Sequence, residues 1–301
     1  MRDEAVRVHL KEPDLLVVAV LCPETARRAR SIHECMPTSA GLLAQGFAAA
    51  YGLAGLLSGQ ARINLQVSCD GPIKGLFVDA DAQGHARGYV KNAQVNFLTA
   101  GGPFDAAGAL GGSGVLSVLR ELKAGEFYRG SIAMEQFDLA RDLERHYRES
   151  EQIDTAIFLD VAPEGPERLG RVRSLFVQAM PEARRGAVEE ARQLIESAGL
   201  AASAERAMDL VRPLAEHCGG EIDVLAEYPL DYVCGCSADK VLRAVLSMGR
   251  EEIEDMLRRE GKAVATCAFC HTTYEIGRER LQQMLEAIDE SRSPEEDGEP
   301  N

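Results

Sequence analysis

A chain of 301 residues with a formal net charge of −15 is long enough for one large domain plus a smaller one. Its hydrophobic content of 46% is ample for a core, but with 5% aromatics and no Trp that core must rest on Leu, Val, Ile and Ala. The negative balance repels phosphate backbones and anionic lipid headgroups, which argues against nucleic acid or a membrane as partner.

Met1-Arg-Asp-Glu leads into no secretory pattern, and the apolar run Leu15–Cys22 is too short to span a bilayer. Eight cysteines, four of them in close pairs, fit a reducing compartment better than a disulfide framework. The chain therefore reads as cytoplasmic.

Val6–Leu10 alternates and reads as an edge strand or turn, while the continuous Leu15–Leu21 reads as a buried strand. Thr25 is a candidate cap for a short helix to Arg30, and Thr38 or Ser39 for a longer one, rich in small residues, to about Leu57. Arg62–Ser68 and Gly75–Asp79, divided by the Asp70-Gly71-Pro72 turn, read as strands, and Gly88-Tyr89-Val90 begins another segment. Six glycines stand between Gly101 and Gly114. Neither a GK[ST] nor a GxGxxG opens a helix there, so the run reads as a mobile sheet-edge loop, not a phosphate cradle. Strand patterns follow at Val115–Leu119, Phe127–Met134, Thr155–Val161 and Leu175–Met180, with a helix from Asp138 to Arg148. Strands in runs with helices gathered between them predict an α+β domain over residues 1–180.

Composition shifts at Pro181. Residues 181–231 carry 11 acidic and 5 basic side chains and two helical patterns, Arg184–Ser197 and Ser203–His217. Leu194 and Ile195 are the large apolar residues that the first helix offers for docking. Such helices bury little alone, so their folding depends on docking, which suits a plain helical spacer as well as a metastable linker.

Beyond it, Cys234-Gly235-Cys236 and Cys267-Ala268-Phe269-Cys270 are separated by 30 residues. Two close thiol pairs at that distance are the layout of a four-sulfur zinc site, with Gly235 tolerating the tight backbone of the first pair. Ser237 caps a helix bearing Val241, Leu242, Val245 and Leu246 that ends at Gly249; a second carries Ile253, Met256 and Leu257 to near Gly261. Together they fill the gap. A last helix spans Arg278–Ile288, and the acidic tail 291–301 reads as disordered. His271, beside a complete four-thiolate shell, reads as a neighbour rather than a ligand. Cys22 and Cys69 read as buried small hydrophobes, Cys218 as the most reactive of the single cysteines, and His33 with Cys35 as only a weak nucleophile–base pair. Each close thiol pair could also close a disulfide, so the spacing leaves a redox switch and an inert staple both open.

The run Tyr232-Val-Cys234-Gly-Cys236-Ser237, with Thr266-Cys267-Ala-Phe-Cys270-His-Thr-Thr-Tyr274, resembles the C-terminal zinc module of the heat-shock protein 33 family. The resemblance extends through Gly88-Tyr-Val90, Tyr128-Arg-Gly130, Ser150-Glu-Gln152 and Leu175–Pro181, and so covers nearly the whole chain. It implies a non-enzymatic, ATP-independent holdase for unfolding client proteins, inactive when reduced and loaded with one zinc per chain. Oxidation in that family forms disulfides, here Cys234 with Cys236 and Cys267 with Cys270, releases zinc, unfolds the linker and yields a homodimer. The implied division is a core at 1–180, a linker at 181–231, a zinc module at 232–290 and a tail at 291–301. The residues also admit a zinc hydrolase, a thiol oxidoreductase or a zinc-ribbon nucleic-acid binder. Four cysteines close the zinc shell against the first, the strand-like Ala263–Ala265 before Cys267 argues against the second, and charge argues against the third.

Overall fold

A computed structural model describes residues 2–57, 59, 61–97, 104–123, 125–163, 169–200, 204–218 and 220–292. Gly101 and Gly102 of the glycine run, and the tail from residue 293, lie outside them. The chain divides into two compact units, Met1–Val233 and Cys234–Asn301. The first contains strands β1 (Glu4–Leu10) and β2 (Leu15–Leu21), helices α1 (Pro23–His33) and α2 (Pro37–Leu56), and strands β3 (Arg62–Cys69), β4 (Gly75–Asp81) and β5 (His85–Val90). Helix α3 (Ala106–Leu110), strands β6 (Gly114–Lys123) and β7 (Glu126–Ala133) and helix α4 (Leu139–His146) follow, with a π-helical turn at Tyr147–Glu151. Strands β8 (Thr155–Pro163) and β9 (Leu169–Ala179), helices α5 (Ala187–Ala198) and α6 (Met208–Cys218), and strands β10 (Ile222–Pro229) and β11 (Asp231–Tyr232) complete it.

Helix α2 is the centre of this unit. It lies between a five-stranded antiparallel sheet, order β10-β1-β2-β9-β8, and a six-stranded sheet, order β11-β5-β4-β3-β6-β7. Its small residues allow the close approach. Any Cβ at Gly52 would strike the Phe176 ring, one at Gly55 would strike Val18, and the Ser174 hydroxyl donates to the Ala48 carbonyl at 2.8 Å. By length and composition α2 could cross a membrane, a match that an uninterrupted-run criterion overlooks, but 94% of its apolar window is buried inside the unit. Such all-round hydrophobicity is what a helix covered on every side requires.

The five-stranded sheet is covered on its other face by α5 and α6. Val188, Ala191, Ile195, Leu210, Val211 and Leu214 pack with Val6, Val8, Val17 and Val177 into one buried cluster. That double cover explains why every residue of β2 is buried and why it reads as a continuous apolar run. The six-stranded sheet has only one covered face, so β3 alternates.

Several expectations are corrected. β1 is not an edge strand, because β10 pairs with it antiparallel from Ile222 to Pro229. The segment after Pro181 therefore contains a strand as well as two helices. Its pattern escaped notice because the register skips at Arg7/Val8, leaving Leu225 without a partner and breaking the alternation. Proline at N1, not Thr25, Thr38 or Ser39, starts α1 and α2. The Thr38 hydroxyl donates to the Phe97 carbonyl at 3.0 Å and that of Ser39 to the Asn92 carbonyl at 3.0 Å, holding the segment before the glycine run. That run is not a sheet-edge loop: it includes α3, capped by Asp105, and enters β6, which lies between β3 and β7.

The end of the first unit is stitched into it. Leu230 N donates to the Asp3 carbonyl at 3.1 Å, Asp231 N to Gly84 at 2.9 Å and Val233 N to Ala86 at 2.8 Å. The Tyr51 hydroxyl donates to the Asp231 carbonyl at 2.9 Å, and Tyr232 is buried against Phe47. The residue that follows is Cys234.

The second unit has helices α7 (Ala238–Met248) and α8 (Arg250–Arg259), a hairpin of β12 (Ala263–Thr266) and β13 (Thr273–Ile276), and α9 (Arg278–Arg292). Ser237 caps α7, accepting from Lys240 N at 3.3 Å, and Gly249 ends it at φ 95°. α9 runs through Arg292, so residues 291 and 292, expected in the tail, are helical.

Candidate metal centre

Four sulfurs converge in the second unit. The Sγ atoms of Cys234, Cys236, Cys267 and Cys270 all lie within 4.8 Å of one another. The first two stand on the strap leading into α7, and the other two on the turn between β12 and β13. That turn is closed by Cys267 N donating to the Thr272 carbonyl and His271 N donating to the Cys267 carbonyl, both at 2.9 Å. His271 sits there at φ 56° with an exposed side chain and is not one of the converging groups. Gly235 is not held at a positive φ, and a Cβ on it would meet only Lys240 Nζ, at 3.5 Å. The backbone at Gly235 thus does not demand glycine.

Sulfurs of different motifs are in contact, Cys234 with Cys267 at 3.7 Å and Cys236 with Cys270 at 3.3 Å. A metal bonded to four sulfurs at about 2.3 Å sets tetrahedral edges of roughly 3.8 Å, so these residues fit such an ion. The electrostatics ask for one. Burial, reinforced by the neighbouring thiols, pushes the Cys234 thiol up to about 12. Cys270 is also opposed by burial, but contacts with the Thr272 hydroxyl and amide and with neighbouring sulfurs outweigh it, leaving about 6. Four thiolates this close repel one another unless a cation neutralises them.

Two hydroxyls reach the sulfurs. Tyr274 Oη donates to Cys236 Sγ at 3.0 Å, and Thr272 Oγ1 lies 3.2 Å from Cys270 Sγ. The bond to Cys236 raises the Tyr274 phenol to about 12. Reading by residue type missed both, although Thr272 and Tyr274 lie within the quoted motif. The signal is their spacing: on a strand leaving the turn, period 2 returns both to one face. The unit's own core is small, namely Val245, Ile253, Ala263, Ile276, Leu281 and Met284, which is little for a module of this size without a staple.

The remaining cysteines lie elsewhere. Burial pushes Cys35 up to about 12, and the same cause raises Cys22, Cys69 and Cys218. Cys35 is thus a poor nucleophile beside His33. Cys218, expected to be the most reactive of the single cysteines, lies at the end of α6, where burial and then Glu190 raise its thiol.

The Hsp33 protein family model matches residues 3–277. The chain belongs to the Hsp33 family. It is 34% identical over 288 residues to a protein named 33 kDa chaperonin from Thermodesulfovibrio yellowstonii, covering 95% of this chain and 100% of that one. To the 33 kDa chaperonin of Geobacter sulfurreducens it is 30% identical, covering 95% and 96%. Among solved structures, the 33 kDa chaperonin (heat shock protein 33 homolog) of Thermotoga maritima superposes with a TM-score of 0.80 at 24% identity, over 96% of this chain and all of that one. At that identity the superposition speaks to the Hsp33 fold, the α+β architecture with a C-terminal four-cysteine unit.

Proposed function

We propose that this Hsp33 family member is a redox-regulated, ATP-independent holdase that binds unfolding proteins. The observation that carries the reading is the convergence of four thiols within 4.8 Å in a chain whose relatives are named chaperonins. In the reduced state Cys234, Cys236, Cys267 and Cys270 hold one zinc ion. When bound, zinc supplies the positive charge that lets four thiolates coexist, and a staple on the order of 10 kcal/mol.

Oxidation consumes the ligands. One thiolate attacks a peroxide oxygen, giving a sulfenic acid and hydroxide; its partner thiolate then displaces a second hydroxide and forms the disulfide. Each disulfide thus takes two electrons from two sulfurs and spends one peroxide. The pairs proposed are Cys234 with Cys236 and Cys267 with Cys270. With the staple gone, the second unit loses its fold and the linker detaches, uncovering apolar surface for clients. The working division is a core at 1–180, a metastable linker at 181–231 and, from Cys234 through α9, a zinc module. The active form is a homodimer in the cytoplasm, with neither nucleic acid nor membrane as partner, in keeping with the charge of −15.

The test is aggregation of a heat-unfolded client, followed with reduced and with peroxide-treated protein while released zinc is titrated. Suppression only after oxidation, with one zinc released per chain, is expected. Equal behaviour of the two forms overturns the reading.

A further inference from the structure

We infer that Tyr274 is a positioning residue for the metal centre, its hydroxyl holding the Cys236 sulfur as a ligand and slowing its oxidation; this rests on the metal-binding reading above. The geometry is specific. Tyr274 is half-buried on β13, paired with Ala265 of β12, one strand residue beyond the turn that carries Cys267 and Cys270. Its Oη–H reaches across to Cys236 at 3.0 Å, on the other thiol pair. One hydroxyl thus ties the hairpin to the strap before α7, and Cys236 Sγ also lies 3.3 Å from Cys270 Sγ.

A hydroxyl donated to a thiolate stabilises the charge on sulfur and draws down its electron density. Two consequences follow. The sulfur is fixed in direction, so the ligand set is preorganised. The lone pair that must attack peroxide is less nucleophilic, so the first step of oxidation at Cys236 slows. Thr272 Oγ1 lies 3.2 Å from Cys270 Sγ, where it accepts from the thiol, and it reaches it from two residues away on the same turn. It cannot link the two motifs.

Tyr274→Phe keeps the ring and removes only the hydrogen bond. The variant is expected to bind one zinc per chain about 10-fold more weakly in chelator competition, as loss of a group that orients a ligand typically does, and to lose zinc to peroxide several-fold faster. Loading with Co2+ supplies the readout that a packing role would not move. The d–d bands report an intact four-coordinate site, while the sulfur-to-cobalt charge-transfer band should shift when the hydrogen bond is lost. Thr272→Val should change zinc affinity less than Tyr274→Phe. A Tyr274→Phe protein matching wild type in affinity, release rate and charge-transfer band overturns the assignment. If wild type binds metal but keeps it under peroxide while the variant binds 10-fold more weakly, the redox reading falls and the role of Tyr274 stands. A wild-type chain that takes up no metal overturns both.

Discussion

His146 shows how one residue inherits a property from its surroundings. Its ring is fully buried, packed edge-on against Tyr147 at 6.0 Å and pressed against Gly130 of β7. Among the described residues neither ring nitrogen has a hydrogen-bond partner, and Glu151 Oε1 stands 3.9 Å away. Burial first, and then the Arg120 charge, bring its pKa down to about 4, against the pull of Glu149. The unfolded chain therefore takes up a proton near pH 6.5 that the folded one refuses until about pH 4. This contribution to stability is complete above pH 6.5 and is lost as pH falls through that window. The difference in urea midpoint between pH 7 and pH 5 should shrink in His146→Phe; an unchanged difference would exclude His146 as its source. At the metal centre, Cys267→Ser should weaken zinc binding by orders of magnitude, since three thiolates and a hydroxyl make a poor shell for this ion. Elemental analysis and chelator competition check it, and a variant that binds like wild type would remove Cys267 from the ligand set.

At the scale of elements, the segment between Pro181 and Asp231 is held by specific docking. The large inward residues of α5 are Val188 and Ile195, two turns apart, with Ala187 and Ala191 buried beside them, whereas Leu194 is only partly buried. Around them run ion pairs to the core, Arg192 to Glu144 at 2.6 Å and Arg206 to Glu4 at 2.9 Å. The exposed Arg206 pair contributes little, while the largely buried Arg192–Glu144 pair acts together with the apolar contact. Replacing Val188 and Ile195 together by Ser removes about 2–5 kcal/mol of packing, comparable to the local stability of such a segment. Amides of α5 and α6 should exchange faster, and the reduced variant should suppress client aggregation with its zinc still bound. If the helices exchange freely and the reduced protein stays inactive, release of this segment is not the activating step.

For the whole molecule, the pairing of the oxidised cysteines reports the state in which oxidation ends. In the folded unit sulfurs of different motifs are in contact, Cys236 with Cys270 at 3.3 Å and Cys234 with Cys267 at 3.7 Å, so cross-motif disulfides are within reach. An unfolded chain favours the pairs within each motif, because ends one or two residues apart meet far more often than ends 30 residues apart. Peroxide with mild heat should therefore give Cys234–Cys236 and Cys267–Cys270 on peptide mapping. Cross-motif disulfides as the main product would mean that oxidation is completed in the folded unit, against the proposed mechanism.

The sequence by itself determined which four cysteines converge, the order of most strands and the cap at Ser237, because each is a short-range pattern: paired thiols, period-2 alternation, a hydroxyl before a helix. The four-cysteine layout needed no tertiary information, since zinc imposes the same tetrahedron on any chain that offers thiol pairs at that spacing. Only the tertiary structure decided that β10 covers β1, because the unpaired Leu225 breaks the alternation that would have shown the strand. It alone decided that α2 lies between two sheets, since an all-apolar helix looks the same from its sequence whether protein or lipid surrounds it. Tyr274 belongs with these. A tyrosine on a strand becomes a partner of Cys236 only when a hairpin and a distant strap are folded together, and sequence carries no distance between them.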